Sequence, residues 1–155
     1  MDMPVLIESL SHPQLSSVMA LYAASRERDR IGDERAVYEF FLDFFTQKDA
    51  FCAAWITEEG VCSVLRIQSY LDGVLLTGVE TAPQQRGRGY AHALMCAVLE
   101  KLHQRGVRKV YSHVDRKNAP SMKLHEKCGF YKLCDTARLL DGSVTTQMDT
   151  LCIEL

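Results

Sequence analysis

The segment Arg86-Gly87-Arg88-Gly89-Tyr90-Ala91 carries the clearest chemical signal in the chain. It lies between a strand-like run, Val74–Thr81, and the start of a helical apolar period. Glycines there let the backbone turn tightly and bring its N–H groups close to a ligand. A helix starting at the same point adds unpaired N–H donors and the positive end of the macrodipole, a combination suited to pyrophosphate. Arg86 and Arg88 would add charge toward phosphate oxygens. Two nucleotide readings fail on spacing. A GxGxxG fingerprint needs a small third residue, and His92 stands there. A phosphate loop of the GxxxxGK(S/T) kind is absent. Taken alone, the turn also fits a plain tight connection with solvent-facing arginines, so its setting has to decide.

The elements that would position this turn follow from periodicity. Val5–Leu10 reads as a first strand. Ser11 and Gln14 have capping-box spacing, ahead of a helix on Leu15, Val18, Met19 and Tyr22 that runs to about Ser25. A charged loop, Arg26–Gly32, ends at Asp33 as a helix cap. Val37, Phe40, Phe41, Phe44 and Phe45 form an aromatic core stripe on a second helix. Three antiparallel strands follow, Phe51–Ile56, Val61–Tyr70 and Val74–Thr81, turning at Glu59-Gly60 and Asp72-Gly73. The third is apolar on both faces and therefore central. Ala91–Leu102 then traces a helix stopping at Gly106, Lys109–Asp115 a strand, and Asn118–Gly129 a short capped helix. Two last strands, Phe130–Leu139 and Val144–Glu154, pair across Asp141-Gly142. No linker divides the chain, so residues 1–155 are expected to form one α/β (α+β) domain with helices on both faces of a mixed sheet.

In this setting Val79–Ala91 closely resembles motif A of the GNAT superfamily of acyl-CoA-dependent N-acyltransferases, (Gln/Arg)-x-x-Gly-x-(Gly/Ala), matched by Arg86, Gly89 and Ala91. A second block, Asn118–Phe130, resembles the family's later motif, an Asn followed by a helix reading roughly Leu-Tyr-x-Lys-x-Gly-Phe. The resemblance implies a mostly antiparallel sheet of about seven strands whose central strands splay to form the CoA slot. Gly78 is a credible place for the accompanying bulge. It also implies acetyl-CoA as co-substrate. The backbone of Val79 and Thr81 would pair with the pantetheine arm, the amides of Arg86, Gly87, Arg88, Gly89, Tyr90 and Ala91 would hold the pyrophosphate, and Asn118 with Ser121 would complete the CoA contacts.

The implied reaction is direct attack of a primary amine on the thioester in a ternary complex. It needs a neutral amine, a donor for the oxyanion and a proton for the departing thiolate. Glu80 is the candidate base. His125 replaces the tyrosine that the family usually presents to the thioester sulfur. Ser121, Leu124, His125 and Cys128 share one helical stripe, so His125 faces inward and could act as the acid. A backbone amide on the Val79–Thr81 strand suits the oxyanion. The alternative is a non-catalytic acyl-CoA-binding or interaction domain. His12, His92, His103 and His113 read as structural or solvent-facing.

Composition bounds the partners. The 155 residues are 47% hydrophobic and 25% charged, ordinary for a globular protein, and the net charge of −2 gives no reason to expect nucleic-acid binding. No apolar run reaches the roughly 18 residues of a membrane span, and the N-terminal residues lack signal-peptide character, so a cytoplasmic protein without membrane contact is expected. The six cysteines form no CxxC pair and no zinc-like Cys/His spacing, so reduced core thiols and no metal are expected. The acceptor is read only as a small-molecule amine or a peptide; a homodimer stays open. Acidic Asp33, Glu34, Glu39 and Asp43 are the main acceptor-side features.

Overall fold

The computed structural model describes residues 3–25 and 34–155. The expected charged loop Arg26–Gly32 and the Asp33 cap lie outside those residues. Strand β1 (Met3–Ile7) leads to α1 (Leu15–Ala24), and α2 (Glu34–Phe44) precedes the antiparallel run β2 (Phe51–Thr57), β3 (Gly60–Tyr70) and β4 (Gly73–Thr81). A short 3-10 turn, Pro83–Gln85, leads into α3 (Tyr90–Gln104), then β5 (Lys109–Asp115) and α4 (Ala119–Lys127). The chain closes with β6 (Tyr131–Cys134), β7 (Ala137–Arg138), β8 (Val144–Thr145) and β9 (Met148–Glu154). The main sheet has seven strands in the order β1-β2-β3-β4-β5-β9-β6. Every pairing in it is antiparallel except β4 with β5.

The alternation of each strand fixes two cores. Phe51, Ala53, Leu65, Ile67 and Leu76 face α3, whose Leu94, Met95, Val98 and Leu102 fill the space above them. Cys52, Ala54 and Val64 point the other way, onto Val18 and Tyr22 of α1 and Val37, Phe41 and Phe44 of α2. The aromatic stripe is therefore core, and β4 is central, as the sequence implies.

Three local expectations are corrected. No capping box forms on α1: Gln14 is its N-cap without a side-chain bond, Ser11 Oγ pairs with Ser9 Oγ at 2.9 Å, and His12 Nδ1 accepts from the Gln14 amide at 3.1 Å. The final hairpin splits into two pairs, β6–β9 and β7–β8, because the strand bulges between Lys132 and Cys134 and the Asp135 carbonyl accepts from Arg116 Nη1 at 2.7 Å. Of the cysteines, Cys52, Cys62 and Cys152 are buried, but Cys96 and Cys134 are exposed.

Gly78 is where β4 leaves its regular register with β3. The register runs Val64↔Glu80 and then Arg66↔Thr77, so Gly78 and Val79 together oppose Leu65 in a β-bulge. Gly78 has φ +64, and an added Cβ would stand 2.5 Å from Nη1 of Arg66. That guanidinium is buried between the rings of Tyr22 and Phe40, 4.9 and 4.8 Å from their centroids. The Tyr22 hydroxyl donates to the Gly78 carbonyl at 2.6 Å and fixes the bulge from the α1 side.

Candidate active site

Strands β4 and β5 pair at Val74↔Val110 and Leu75↔Tyr111 and at no later position. Beyond Leu75 they part, leaving a cavity of about 250 Å³ that continues into a groove of about 550 Å³ toward the start of α3. Successive strand residues turn their peptide groups to opposite edges. The Glu80 carbonyl accepts from Ser63 Oγ and the Ala82 amide donates to the Cys62 carbonyl, both on the β3 side. The peptide groups of Val79 and Thr81 therefore face the opening, available to an extended ligand.

The groove ends at the N-terminus of α3. Gly89 caps it at φ +84 with Gly87 at φ +77, conformations that favour glycine, and a Cβ at either would meet no protein atom within 4 Å. The space over these amides is open to a ligand. Gly87, Gly89, Tyr90, Ala91 and Arg86 line the groove, with Val79, Glu80 and Thr81 on one wall and Asn118 and Ser121 on the other. Arg88 is the exception. Its Nη1 donates to Gln85 Oε1 at 3.1 Å and lies 3.9 Å from Glu59, while Gln85 Nε2 donates to the same carboxylate. This arginine braces the turn from behind.

The second wall is made of side chains. Asn118 Oδ1 accepts from the Ser121 amide at 3.2 Å and starts α4. His125 is buried, its ring edge-on to Phe130 at 5.0 Å. Its Nδ1 lies 2.7 Å from the Ser121 carbonyl, which can only accept, so Nδ1 carries the proton. Nε2 then accepts from Ser112 Oγ at 2.8 Å. Burial holds the imidazole below the usual histidine range, opposed by the bond to Ser121, so the ring is neutral near pH 7. The inward orientation expected of His125 is met. Direct proton donation from it is not what this geometry offers, because its one ring proton is committed to Ser121. Ser112, whose hydroxyl bonds the ring, lines the cavity together with His125.

A model of the acetyltransferase (GNAT) family matches residues 16–130. This chain belongs to the GNAT acetyltransferase family. No curated protein sequence matches it. Among solved structures it is similar to spermidine N-acetyltransferase from Vibrio cholerae in complex with CoA and spermine, at TM-score 0.72 and 15% identity over 97% of this chain and 95% of that one. It is also similar to a Bacillus subtilis acetyltransferase in complex with CoA, at TM-score 0.70 and 13% identity over 100% and 99%. The ribosomal-protein-S18-alanine N-acetyltransferase from Escherichia coli gives 0.66 and 16% over 98% and 94%. At these identities the likeness is one of fold: a GNAT sheet with helices on both faces.

Within this GNAT fold, the sequence reading missed Ser112. The available signal was its place in Val110-Ser112-Val114, where the flanking valines face the α3 core and the hydroxyl interrupts an apolar face. Asp115 on the same cavity was also passed over. The remaining histidines divide. His12 is structural, and His113 packs on Tyr70 with Nε2 3.2 Å from its hydroxyl, while His92 is not on an outer face but lines the groove.

Proposed function

We propose that the chain forms one N-acetyltransferase domain that moves an acetyl group from acetyl-CoA to a primary amine of a small molecule or peptide, by direct attack in a ternary complex. The parting of β4 and β5 opposite the α3 N-terminus carries this reading. It gives a thioester a strand edge for its amide-bearing arm, a helix terminus for its pyrophosphate, and a small cavity between them. The backbone N–H groups of Val79 and Thr81 suit the oxyanion. The NH₂ of Asn118 and the Ser121 hydroxyl would meet the pantetheine.

Glu80 lines both the groove and the cavity, and takes a proton from the incoming ammonium. With Asp115 it gives the cavity an acidic rim that favours a cationic acceptor. On attack, the amine nitrogen bonds to the thioester carbon and loses a second proton through Ser112 Oγ to the neutral Nε2 of His125. When the tetrahedral intermediate collapses and the C–S bond breaks, the same path returns that proton to the CoA thiolate. The products are the amide and CoA thiol, with His125 neutral again.

Thiol release from acetyl-CoA, measured against a polyamine, an amino acid and a peptide N-terminus, tests this reading. Amine-dependent release with an N-acetylated product supports it. CoA binding without release for any amine class would make the chain an acyl-CoA-binding domain instead.

A further inference from the structure

The fold gathers three metal-ligand side chains that lie apart in sequence. His92 and Cys96 are one turn apart on α3, and Cys128 is the C-cap of α4, 32 positions after Cys96. Their donor atoms all lie within 4.8 Å of one another, with His92 Nε2 3.6 Å from Cys96 Sγ. Ligands about 2.0–2.3 Å from a tetrahedral ion stand roughly 3.3–3.8 Å apart, so small rotamer changes would close the set. Cys96 is exposed and the other two are half-buried, which leaves an entry path and a fourth position for water.

We propose that His92, Cys96 and Cys128 form a binding site for a thiophilic divalent cation of the Zn²⁺ class, clamping α3 to α4 beside the groove. Two sulfurs and an imidazole suit Zn²⁺ or Co²⁺ and are a poor set for Mg²⁺ or Ca²⁺, which take oxygen. Binding converts both thiols to thiolates and releases two protons, while His92 donates the Nε2 lone pair and keeps its proton on Nδ1. The two thiolate charges cancel that of the ion. Three protein ligands with an open position make an exchangeable site rather than a closed structural one. Because His92 also lines the groove at the first turn of α3, ion and CoA affinities should be linked by the same factor in both directions.

Co²⁺ titration of the metal-free, reduced protein decides this spectroscopically. The expected result is a thiolate-to-cobalt charge-transfer band with visible ligand-field bands, saturating at one equivalent and displaced by Zn²⁺. Losing even an outer-shell partner of a metal costs about 10–100-fold in affinity, so Cys96→Ser and Cys128→Ser should each weaken binding at least tenfold. Cys134→Ser, which removes the other exposed thiol, should change nothing. Cys96 is on the surface, so Cys96→Ser carries the test even if the Cys128 variant folds poorly. Absence of the band, or a band of undiminished affinity in Cys96→Ser, overturns the proposal. So does a protein that forms a Cys96–Cys128 disulfide in air yet takes up no Co²⁺ when reduced.

Discussion

The two walls of the slot are built on different principles. On the β4–α3 side the proposed recognition groups are peptide N–H groups, presented by a bulge at Gly78 and by positive-φ glycines at 87 and 89. On the β5–α4 side the proposed groups are the side chains of Ser112 and His125, bonded to each other, with the ring held by the Ser121 backbone carbonyl. The first wall tolerates any side chain whose backbone can adopt the conformation, so its identity is carried by glycines. The second depends on particular atoms at particular distances. In a backbone-made wall a mutation acts by strain and steric block. In a side-chain-made wall it acts by removing a proton path while leaving the shape intact.

Substitutions should separate the two walls, and the largest effect is expected at the bulge. Gly78→Val places a branched side chain at φ +64 against the Arg66 guanidinium, and should destabilise the fold by roughly 3 kcal/mol or more, read by denaturant titration. Next comes the proton path. His125→Phe and Ser112→Ala should each lower kcat by about 10²-fold with CoA affinity unchanged, the low end of an acid–base contribution. Because the two residues act as a unit, the double variant should be about as slow as either single one. Additive losses in steady-state kinetics would break the relay into independent roles.

Gly89→Val should weaken CoA by about 10–100-fold, since forcing a branched residue to positive φ costs on the order of 1–3 kcal/mol at the cradle. A pH effect follows from burial. The folded-state pKa values of His125 and His113 are depressed, whereas the unfolded chain takes up their protons near pH ~6.5. The stability they contribute is therefore present above that value and lost as pH falls through the folded values. Melting temperature should drop on acidification, and less steeply in His125→Gln than in the parent. Turnover should fall over the same range, because a protonated His125 cannot accept. The smallest effect belongs to Arg88→Ala. Its side chain braces Gln85 and Glu59 at the surface, so CoA affinity should move by no more than about 0.5 kcal/mol.

The same division explains what the sequence disclosed. The backbone-made wall was legible because glycine at a strand-to-helix turn has few other uses, and because β4 is apolar on both faces. Arg86–Ala91 stands out in the sequence on that ground, whereas Gly78 follows from the GNAT resemblance and its implied bulge. The side-chain wall was half legible. The helical stripe turned His125 inward, but the partner that fixes its tautomer is on β5, 13 positions away, and no local pattern ties Ser112 to it. Arg66 was hidden for a similar reason. It sits between Leu65 and Ile67 on β3, and only the packing of α1 and α2 turns it into the group that requires glycine at 78. His92, Cys96 and Cys128 escaped a search for zinc-like spacing because two helices, not one loop, bring them together. Of the acidic acceptor-side residues, Asp33 lies outside the described residues, whereas Glu34, Glu39 and Asp43 stand on α2.

Calorimetric titration of CoA into folded Gly89→Val and Ser112→Ala, beside the parent protein, tests the central claim most directly. The account predicts that Gly89→Val binds about 10–100-fold more weakly, whereas Ser112→Ala binds as tightly as the parent. Parent-like affinity in Gly89→Val would contradict a CoA site built from the backbone of that turn.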